Sequence, residues 1–196
     1  MPSYYTIHKP FQVLSQFSPQ PSKQTLKDIF AFPTDVYPIG RLDYDSEGLL
    51  IITNDKTLNN KILNPAFGHE REYWVQVDGA VTPGAINQLE NGVKISVDGK
   101  AYHTKPCIAQ SFETPPHVAE RQPPIRFRKN IPVSWIKIIL TEGKNRQVRK
   151  MTAAVGFPTL RLIRVRIADV TIQSLEPGAF IEWNREALYA SLGLNP

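Results

Sequence analysis

Short apolar runs separated by turn residues are the main pattern along this chain. Residues 49–52 form a continuous apolar run that ends in Thr-Asn-Asp, which predicts a short buried strand followed by a turn. Residues 133–141 give the clearest strand pattern. Further strands are predicted at residues 4–10, 71–77, 93–97, 101–104, 160–167 and 180–183, with Asp98-Gly99 as the turn of a hairpin.

Helical periodicity predicts helices at residues 25–30, 56–63, 82–91 and 145–155. In the helix over 56–63, Leu58, Ile62 and Leu63 are expected to face inward. Asn145 is expected to cap the last helix. The fold therefore combines helices and strands along the whole chain.

Alternation assigns faces to two of the strands. Tyr73, Val75 and Val77 occupy every second position and share one face, where a tyrosine is either core or functional. Residues 160–167 alternate basic and apolar side chains, which predicts a strand with one wet basic face and one dry face.

Composition restricts the class of protein. A hydrophobic content of 41% and a charged content of 21% are ordinary for a soluble globular protein. The single cysteine, Cys107, cannot form an internal disulfide and is expected to be an unreactive filler, which favours a reducing compartment. No apolar run approaches the ~20 residues of a membrane span, and no signal peptide is visible, so a cytoplasmic protein is predicted.

Positive charge is concentrated in one part of the chain. Residues 119–166 contain 12 of the 23 Lys and Arg but only 2 of the 18 Asp and Glu, so this window carries +10 and the remainder −5. Such a distribution is the electrostatic footprint of a protein that binds a polyanion, and without a lipid-anchoring helix it favours nucleic acid over membrane. Within the window, the proline-rich loop of Arg126, Arg128 and Lys129 is either a solvated loop or an RNA backbone contact.

The loop at residues 40–48 precedes the buried strand and carries four charges. Asp43-x-Asp45-x-Glu47-Gly48 copies the opening of an EF-hand, but the ninth and twelfth positions of that loop would be Ile51 and Asn54, so calcium is rejected.

Three other interpretations of the loop stay open on the residues alone. Asp43 and Asp45 could form a glycosidase-type acid/base pair. One carboxylate could be a nucleophile, with Arg41 and Glu47 supporting the loop. The loop could also be a solvated charged turn.

A second group of charges follows the strand at 133–141. Arg146, Arg149 and Lys150 are spaced i, i+3 and i+4 and are expected on one helix face. Cations in the first turns of a helix oppose its dipole, which indicates an anionic partner. That partner could be a phosphate or a buried carboxylate such as Asp43.

The motifs of these segments resemble those of a known enzyme family. Gly-Arg-Leu-Asp-x-x-Ser-Glu-Gly-Leu-Leu-x-x-Thr-Asn-Asp (40–55) is similar to the catalytic motif of the pseudouridine synthases that include the small-subunit uridine-modifying enzymes, and Glu-Gly-x-Asn-Arg-Gln-Val-Arg-x-Met (142–151) is similar to their second signature. Pro-Pro-Ile-Arg-x-Arg-Lys-x-Ile-Pro-x-Ser-Trp (123–135) narrows the resemblance to the E-type synthases of that family, which modify large-subunit RNA. Arg71 and Ala168-Asp169 depart from the family's usual residues.

The resemblance implies a pseudouridine synthase fold: α+β, with a mixed, largely antiparallel sheet flanked by helices, and two lobes with a central basic cleft. It implies one catalytic domain over residues 1–196, without a preceding S4 RNA-binding domain. The implied activity is the isomerisation of a uridine in 23S rRNA to pseudouridine, with base flipping. The implied partner is the RNA of the large ribosomal subunit, with no metal, no organic cofactor and no membrane, and the protein is expected to be a monomer.

The resemblance also carries residue roles. Asp43 corresponds to the essential carboxylate, Arg149 to its ion-pair partner, and Tyr73 to the tyrosine that stacks on the base. Leu162 corresponds to the apolar residue on the other side of the pocket. The expected RNA contacts are Arg41, Arg126, Arg128, Lys129, Arg146, Lys150, Arg161 and Arg164. From a different class, a non-catalytic rRNA-binding or ribosome assembly factor remains the alternative.

Overall fold

The computed structural model of this chain describes residues 1–125, 132–172 and 175–195. Internal contacts divide the chain into two units, which we call unit 1 (residues 1–69 and 163–196) and unit 2 (residues 70–162). Unit 1 is discontinuous in sequence, because unit 2 is inserted into it.

The described residues form thirteen strands and five α-helices. The strands are β1 Tyr4–Lys9, β2 Val13–Leu14, β3 Gln24–Thr25, β4 Tyr37–Pro38, β5 Glu47–Thr53, β6 Arg71–Asp78, β7 Lys94–Val97, β8 Lys100–His103, β9 Ile108–Ser111, β10 Val133–Leu140, β11 Thr159–Ile167, β12 Val170–Thr171 and β13 Phe180–Trp183. The helices are α1 Leu26–Ile29, α2 Lys56–Leu63, α3 Pro83–Asn91, α4 Gln147–Ala154 and α5 Arg185–Ser191. A 3-10 turn covers Pro65–Phe67.

In unit 1, β1 lies between β5 and β13 and is antiparallel to both. On its other side, β5 pairs in parallel with β11 at Glu47–Ile163 and Gly48–Arg164. The sheet is therefore mixed and largely antiparallel, which confirms the predicted fold class. All seven residues of β5 are buried, so the predicted strand at 49–52 is correct and is extended at both ends.

Asp55 connects three elements of unit 1. Its Oδ1 accepts hydrogen bonds from the backbone N–H groups of Thr57 (2.8 Å) and Leu58 (3.1 Å), which caps α2. Its Oδ2 accepts hydrogen bonds from the hydroxyls of Tyr4 (2.8 Å) and Tyr189 (2.7 Å), so one carboxylate joins β1, α2 and α5.

The helix predicted over 56–63 is confirmed, but one of its inward residues is wrong. Leu58 and Ile62, four residues apart, are buried, whereas Leu63 is 46% exposed. Leu63 is one residue further along the helix and therefore points about 100° away from Ile62.

In unit 2, β10 lies between β6 and β9 and is antiparallel to both. Tyr73, Val75 and Val77 are buried on one face of β6, as predicted. Strands β7 and β8 form the predicted hairpin, and its turn residues Asp98 and Gly99 both have positive φ.

Candidate active site

The loop that carries Asp43 is fixed by backbone hydrogen bonds in unit 1. The N–H of Ser46 donates to the carbonyl of Asp43 (3.0 Å) and forms a tight turn. The N–H of Gln12 donates to the carbonyl of Tyr44 (2.9 Å). The Asp43 side chain is half-buried in this turn, at the entrance to the buried strand β5.

Ser15 holds the residue immediately before Asp43. Its hydroxyl donates to the carbonyl of Leu42 (2.8 Å) and accepts from the N–H of Leu42 (3.1 Å). Ser15 and Leu42 are both buried. The backbone on either side of Asp43 is therefore fixed, as is required of a carboxylate that must be held against a reacting atom.

Lys9 is a buried cation at the end of β1 that the sequence analysis did not select. It has no exposed surface, and its Nζ donates to the carbonyls of Pro10 (2.9 Å) and Val13 (2.7 Å). A lysine at the end of an otherwise apolar strand and before a proline was the available signal, but its partners are set by tertiary structure.

The electrostatic environment of Lys9 includes the candidate carboxylate. Burial lowers the pKa of the Lys9 ammonium from 10.5 to about 7. The negative charges of Glu47, Asp43 and Asp45 oppose this shift in the pKa. The positive charge of Arg164 adds to it. Asp43 therefore lies in a cluster of interacting charges, and its loop is not a fully solvated turn.

Arg161 and Arg164 correct the interpretation of residues 160–167. Both side chains are only 5% exposed, so the predicted wet basic face of β11 is wrong. Arg161 Nη2 donates to the carbonyl of Ala119 (2.9 Å) in unit 2, and Arg164 Nε donates to the carbonyl of Leu49 (2.8 Å) in unit 1. Their predicted phosphate contacts remain a prediction.

The basic helix α4 begins two residues later than predicted. It starts at Gln147, and its N-cap is Arg146 in the left-handed region (φ 53°, ψ 32°), so Asn145 is not the cap. Arg146 is exposed and lies outside the helix, whereas Arg149 and Lys150 are half-buried in its first turn. The predicted single face of three cations is therefore reduced to two.

Tyr73 and Leu162 belong to the same hydrophobic cluster of unit 2 and are 9% and 5% exposed. Arg41 is exposed in unit 1, next to the fixed Leu42. Arg126, Arg128 and Lys129 lie outside the described residues. Over residues 1–125, 132–172 and 175–195, no three His, Cys, Asp or Glu side chains are grouped as metal ligands.

Comparison with protein families decides what this arrangement belongs to. The family model described as RNA pseudouridylate synthase matches residues 3–154. The chain belongs to the RNA pseudouridylate synthase family. It is an enzyme of RNA modification, with the tightly held Asp43 loop inside the matched region.

Curated relatives are similar over most of their length. The chain is 46% identical over 173 residues to a protein of Xanthomonas axonopodis pv. citri named ribosomal large subunit pseudouridine synthase E, which covers 87% of this chain and 88% of the relative. It is 45% identical to the protein of the same name from Vibrio parahaemolyticus, over 90% of this chain and 71% of the relative. Ribosomal large subunit pseudouridine synthase B of Bacillus subtilis is 32% identical over 90% of this chain and 66% of the relative.

The fold is also found in solved structures. A crystal structure of a pseudouridylate synthase aligns with a TM-score of 0.75 at 23% identity and covers 96% of this chain and 73% of that chain. The synthase has the pseudouridine synthase fold, as expected. Among the described residues, no helix combines the length and the apolar character needed to cross a membrane.

Proposed function

We propose that this synthase isomerises a uridine in 23S rRNA of the large ribosomal subunit to pseudouridine, with Asp43 as the essential carboxylate. The observation that carries the proposal is the fixed position of Asp43: a half-buried carboxylate between backbone anchors, within a cluster of charges that includes the buried Lys9. The names of the relatives at 45–46% identity support the large-subunit RNA as the substrate.

The reaction needs no external oxidant or reductant. The C1′–N1 glycosidic bond breaks, the base turns while it is bound, and a C5–C1′ bond forms. The C5 proton is released, and N1 carries a proton in the product. The protein must therefore hold a flipped-out nucleotide and an ionised carboxylate in one site.

Desolvation opposes ionisation of such a carboxylate, so a cation must compensate. Arg149 is our candidate for that cation, because a guanidinium can pair with a carboxylate in a bidentate geometry. Tyr73 is the candidate for stacking on the base, worth about 1–3 kcal/mol, and Leu162 for the opposite side of the base. Arg41, Arg146 and Lys150 are proposed phosphate contacts, and residues 1–196 are proposed to act as one catalytic domain and as a monomer.

The isosteric variant Asp43→Asn tests the proposal. We expect it to bind 23S rRNA transcript with nearly unchanged affinity and to release no tritium from RNA labelled at uridine C5. Asp45→Asn, two residues away in the same loop, is the matched control and should retain release. Tritium release by Asp43→Asn would disprove the assigned role.

Two further outcomes test the substrate. If the wild-type enzyme binds rRNA but never releases tritium, the alternative of a non-catalytic RNA-binding or assembly factor is correct. Pseudouridine mapping in a deletion strain should show one missing site in the large-subunit RNA, and a missing site only in other RNA would contradict the proposed substrate.

A further inference from the structure

The segment between β10 and α4 has a buried polar side chain at each end. Glu142 is 7% exposed and Gln147 is 4% exposed, whereas residues 143–146 between them are exposed. Burial of a polar group is unfavourable unless it is hydrogen-bonded, so the partners of these two side chains show what they do.

The Glu142 carboxylate is bonded through both oxygens. Oε2 accepts a hydrogen bond from the hydroxyl of Tyr102. Oε1 accepts from the backbone N–H of Lys105 (2.9 Å) and from Nε2 of Gln147 (2.6 Å). Burial alone would raise the pKa of Glu142, but these hydrogen bonds and the charge of Lys144 outweigh burial and hold the pKa below its usual value.

Gln147 closes the segment into a ring. Its Oε1 accepts from the backbone N–H of Lys144 (2.9 Å), and its own backbone N–H donates to the carbonyl of Lys144 (3.1 Å). Since its Nε2 donates to Glu142, this position requires a side chain that both donates and accepts, which the amide of glutamine provides.

The residues that the ring holds are unfavourable for stability. Arg146 has a positive φ, which is uncommon for an arginine. Arg149 and Lys150 place positive charge at the positive end of the α4 dipole. Conformations of this kind persist where their surroundings fix them, and they are concentrated at functional sites.

We propose that the buried Glu142–Gln147 pair is a positioning device that fixes Arg146 and the first turn of α4 for RNA. The inference rests on the proposed function and deepens it, because it assigns two residues that do not touch the substrate to the geometry of those that do. A misplacement of about 1 Å in such a site can cost about 100-fold in rate.

Hydrogen exchange tests the device without an activity assay. In the wild-type protein the Lys144 N–H is bonded to Gln147, so it should exchange slowly. In Gln147→Leu we expect this amide to exchange at least about 10-fold faster and the saturating single-turnover rate on 23S rRNA to fall about 10- to 100-fold. Unchanged exchange at Lys144 would overturn the proposal.

Gln147→Glu gives a pH signature that a purely structural role would not produce. Two adjacent carboxyls share a proton at low pH, which restores a hydrogen bond between positions 142 and 147, and they repel each other at high pH. We expect a defect of about 100-fold at pH 8 that shrinks below about 10-fold at pH 5.5. Tyr102 and Cys107, which interact with Glu142, have raised pKa values and do not titrate in this range.

Two comparisons complete the design. The exchanged pair Glu142→Gln with Gln147→Glu restores one carboxylate and one amide, and activity should recover to within a few-fold of wild type. Val75→Ala, in the core of unit 2, is the control for stability, since it lowers the melting temperature without touching the segment. If it loses as much activity as Gln147→Leu at equal stability, or if the Gln147→Glu defect is independent of pH, the proposal is wrong.

Failure of this inference is distinguishable from failure of the proposed function. If wild-type protein releases no tritium from any rRNA, the proposed function is wrong. The exchange rate of Lys144 and the affinity of Gln147→Leu for RNA then decide the positioning role by themselves. An unchanged affinity would overturn it.

Discussion

Gly48 lies opposite Arg164 so closely that a Cβ atom at Gly48 would be 2.2 Å from the Arg164 carbonyl oxygen. Its φ of +110° is also a conformation that other residues rarely adopt. The close approach occurs five residues after Asp43, where the charged loop becomes the strand β5. This contact fixes where the loop ends.

Gly48→Ala should therefore prevent this strand pairing. We expect a loss of at least about 3 kcal/mol in the free energy of unfolding, measured by urea denaturation, because both the backbone conformation and the space exclude a side chain. Gly99→Ala is the control: Gly99 also has positive φ, but no atom lies within 4 Å of its Cβ position. Its cost should be about 1–2 kcal/mol, and equal costs at the two sites would contradict the close approach.

Lys9 predicts an unusual dependence of stability on pH. In the unfolded chain its pKa is near 10.5, and in the fold it is about 7, so between these values the unfolded state binds more protons. Raising the pH from 7 towards 10 should therefore stabilise the fold, by up to about 1.4 kcal/mol per pH unit from this group. Lys9→Met should remove that slope in urea titrations, whereas the exposed Lys56→Met should retain it. Parallel curves for wild type and Lys9→Met would show that the lysine is not buried as a neutral amine.

Asp55 should dominate the acid sensitivity of unit 1. Burial raises its pKa, but hydrogen bonds from Tyr189, Tyr4 and two backbone N–H groups outweigh burial and lower the pKa. The stabilisation is therefore present above the unfolded value of about 4 and is lost as pH falls through the lower folded value. We expect Asp55→Ala to cost about 3 kcal/mol at pH 7 and Tyr189→Phe about 1–2 kcal/mol.

Measurement of both variants and of the double variant by urea unfolding tests the assignment. The double variant should cost less than the sum of the single variants, because both remove the same hydrogen bond. An Asp55→Ala penalty that stays constant down to pH 2 would rule out the carboxylate as its source.

Cys107 should be chemically inert in the folded protein. Burial raises the pKa of its thiol to about 11, and its Sγ lies 3.2 Å from the carbonyl oxygen of Leu89, within hydrogen-bonding distance. We expect negligible reaction with a disulfide reagent at pH 7.5 and full reaction in denaturant. Rapid labelling of the native protein would contradict this environment.

The basic loop at Arg126 and Arg128 is predicted from sequence to contact the RNA backbone. Replacement of both by alanine should weaken binding and reduce the slope of log affinity against log salt by about 1.4, at about 0.7 per phosphate contact on single strands. Lys94→Ala with Lys100→Ala, in the β7–β8 hairpin, is a charge-matched control and should leave the slope unchanged. Equal effects of the two double variants would assign the loss to net charge alone.

Patterning predicted the elements whose burial follows a simple period. Tyr73, Val75 and Val77 alternate in sequence and are buried together, and Asp98-Gly99 forms the expected turn. Strand β9 was missed because it has a single buried residue, Ala109, and α5 was missed although Asn184 caps it with a bond to the N–H of Ala187. One buried position is too little for a period to be visible.

The errors at the candidate site arose where buried polar groups find partners distant in sequence. Alternation in β11 assumes one exposed face, but Arg164 is buried with its Nε bonded to Leu49. The loop of Asp43 was identified from its motif, whereas the contribution of Lys9 depends on carboxylates more than thirty residues away. Such pairings are set by tertiary structure and leave little trace in local sequence.

The insertion of unit 2 into unit 1 also sets an order for synthesis on the ribosome. All residues of unit 2 have been translated by Leu162, whereas β1 still awaits its neighbour β13 at Phe180–Trp183. Since compact units fold as soon as their residues are available, the inserted unit is the first that can complete its core. Strand β1 has one open edge until translation is almost finished.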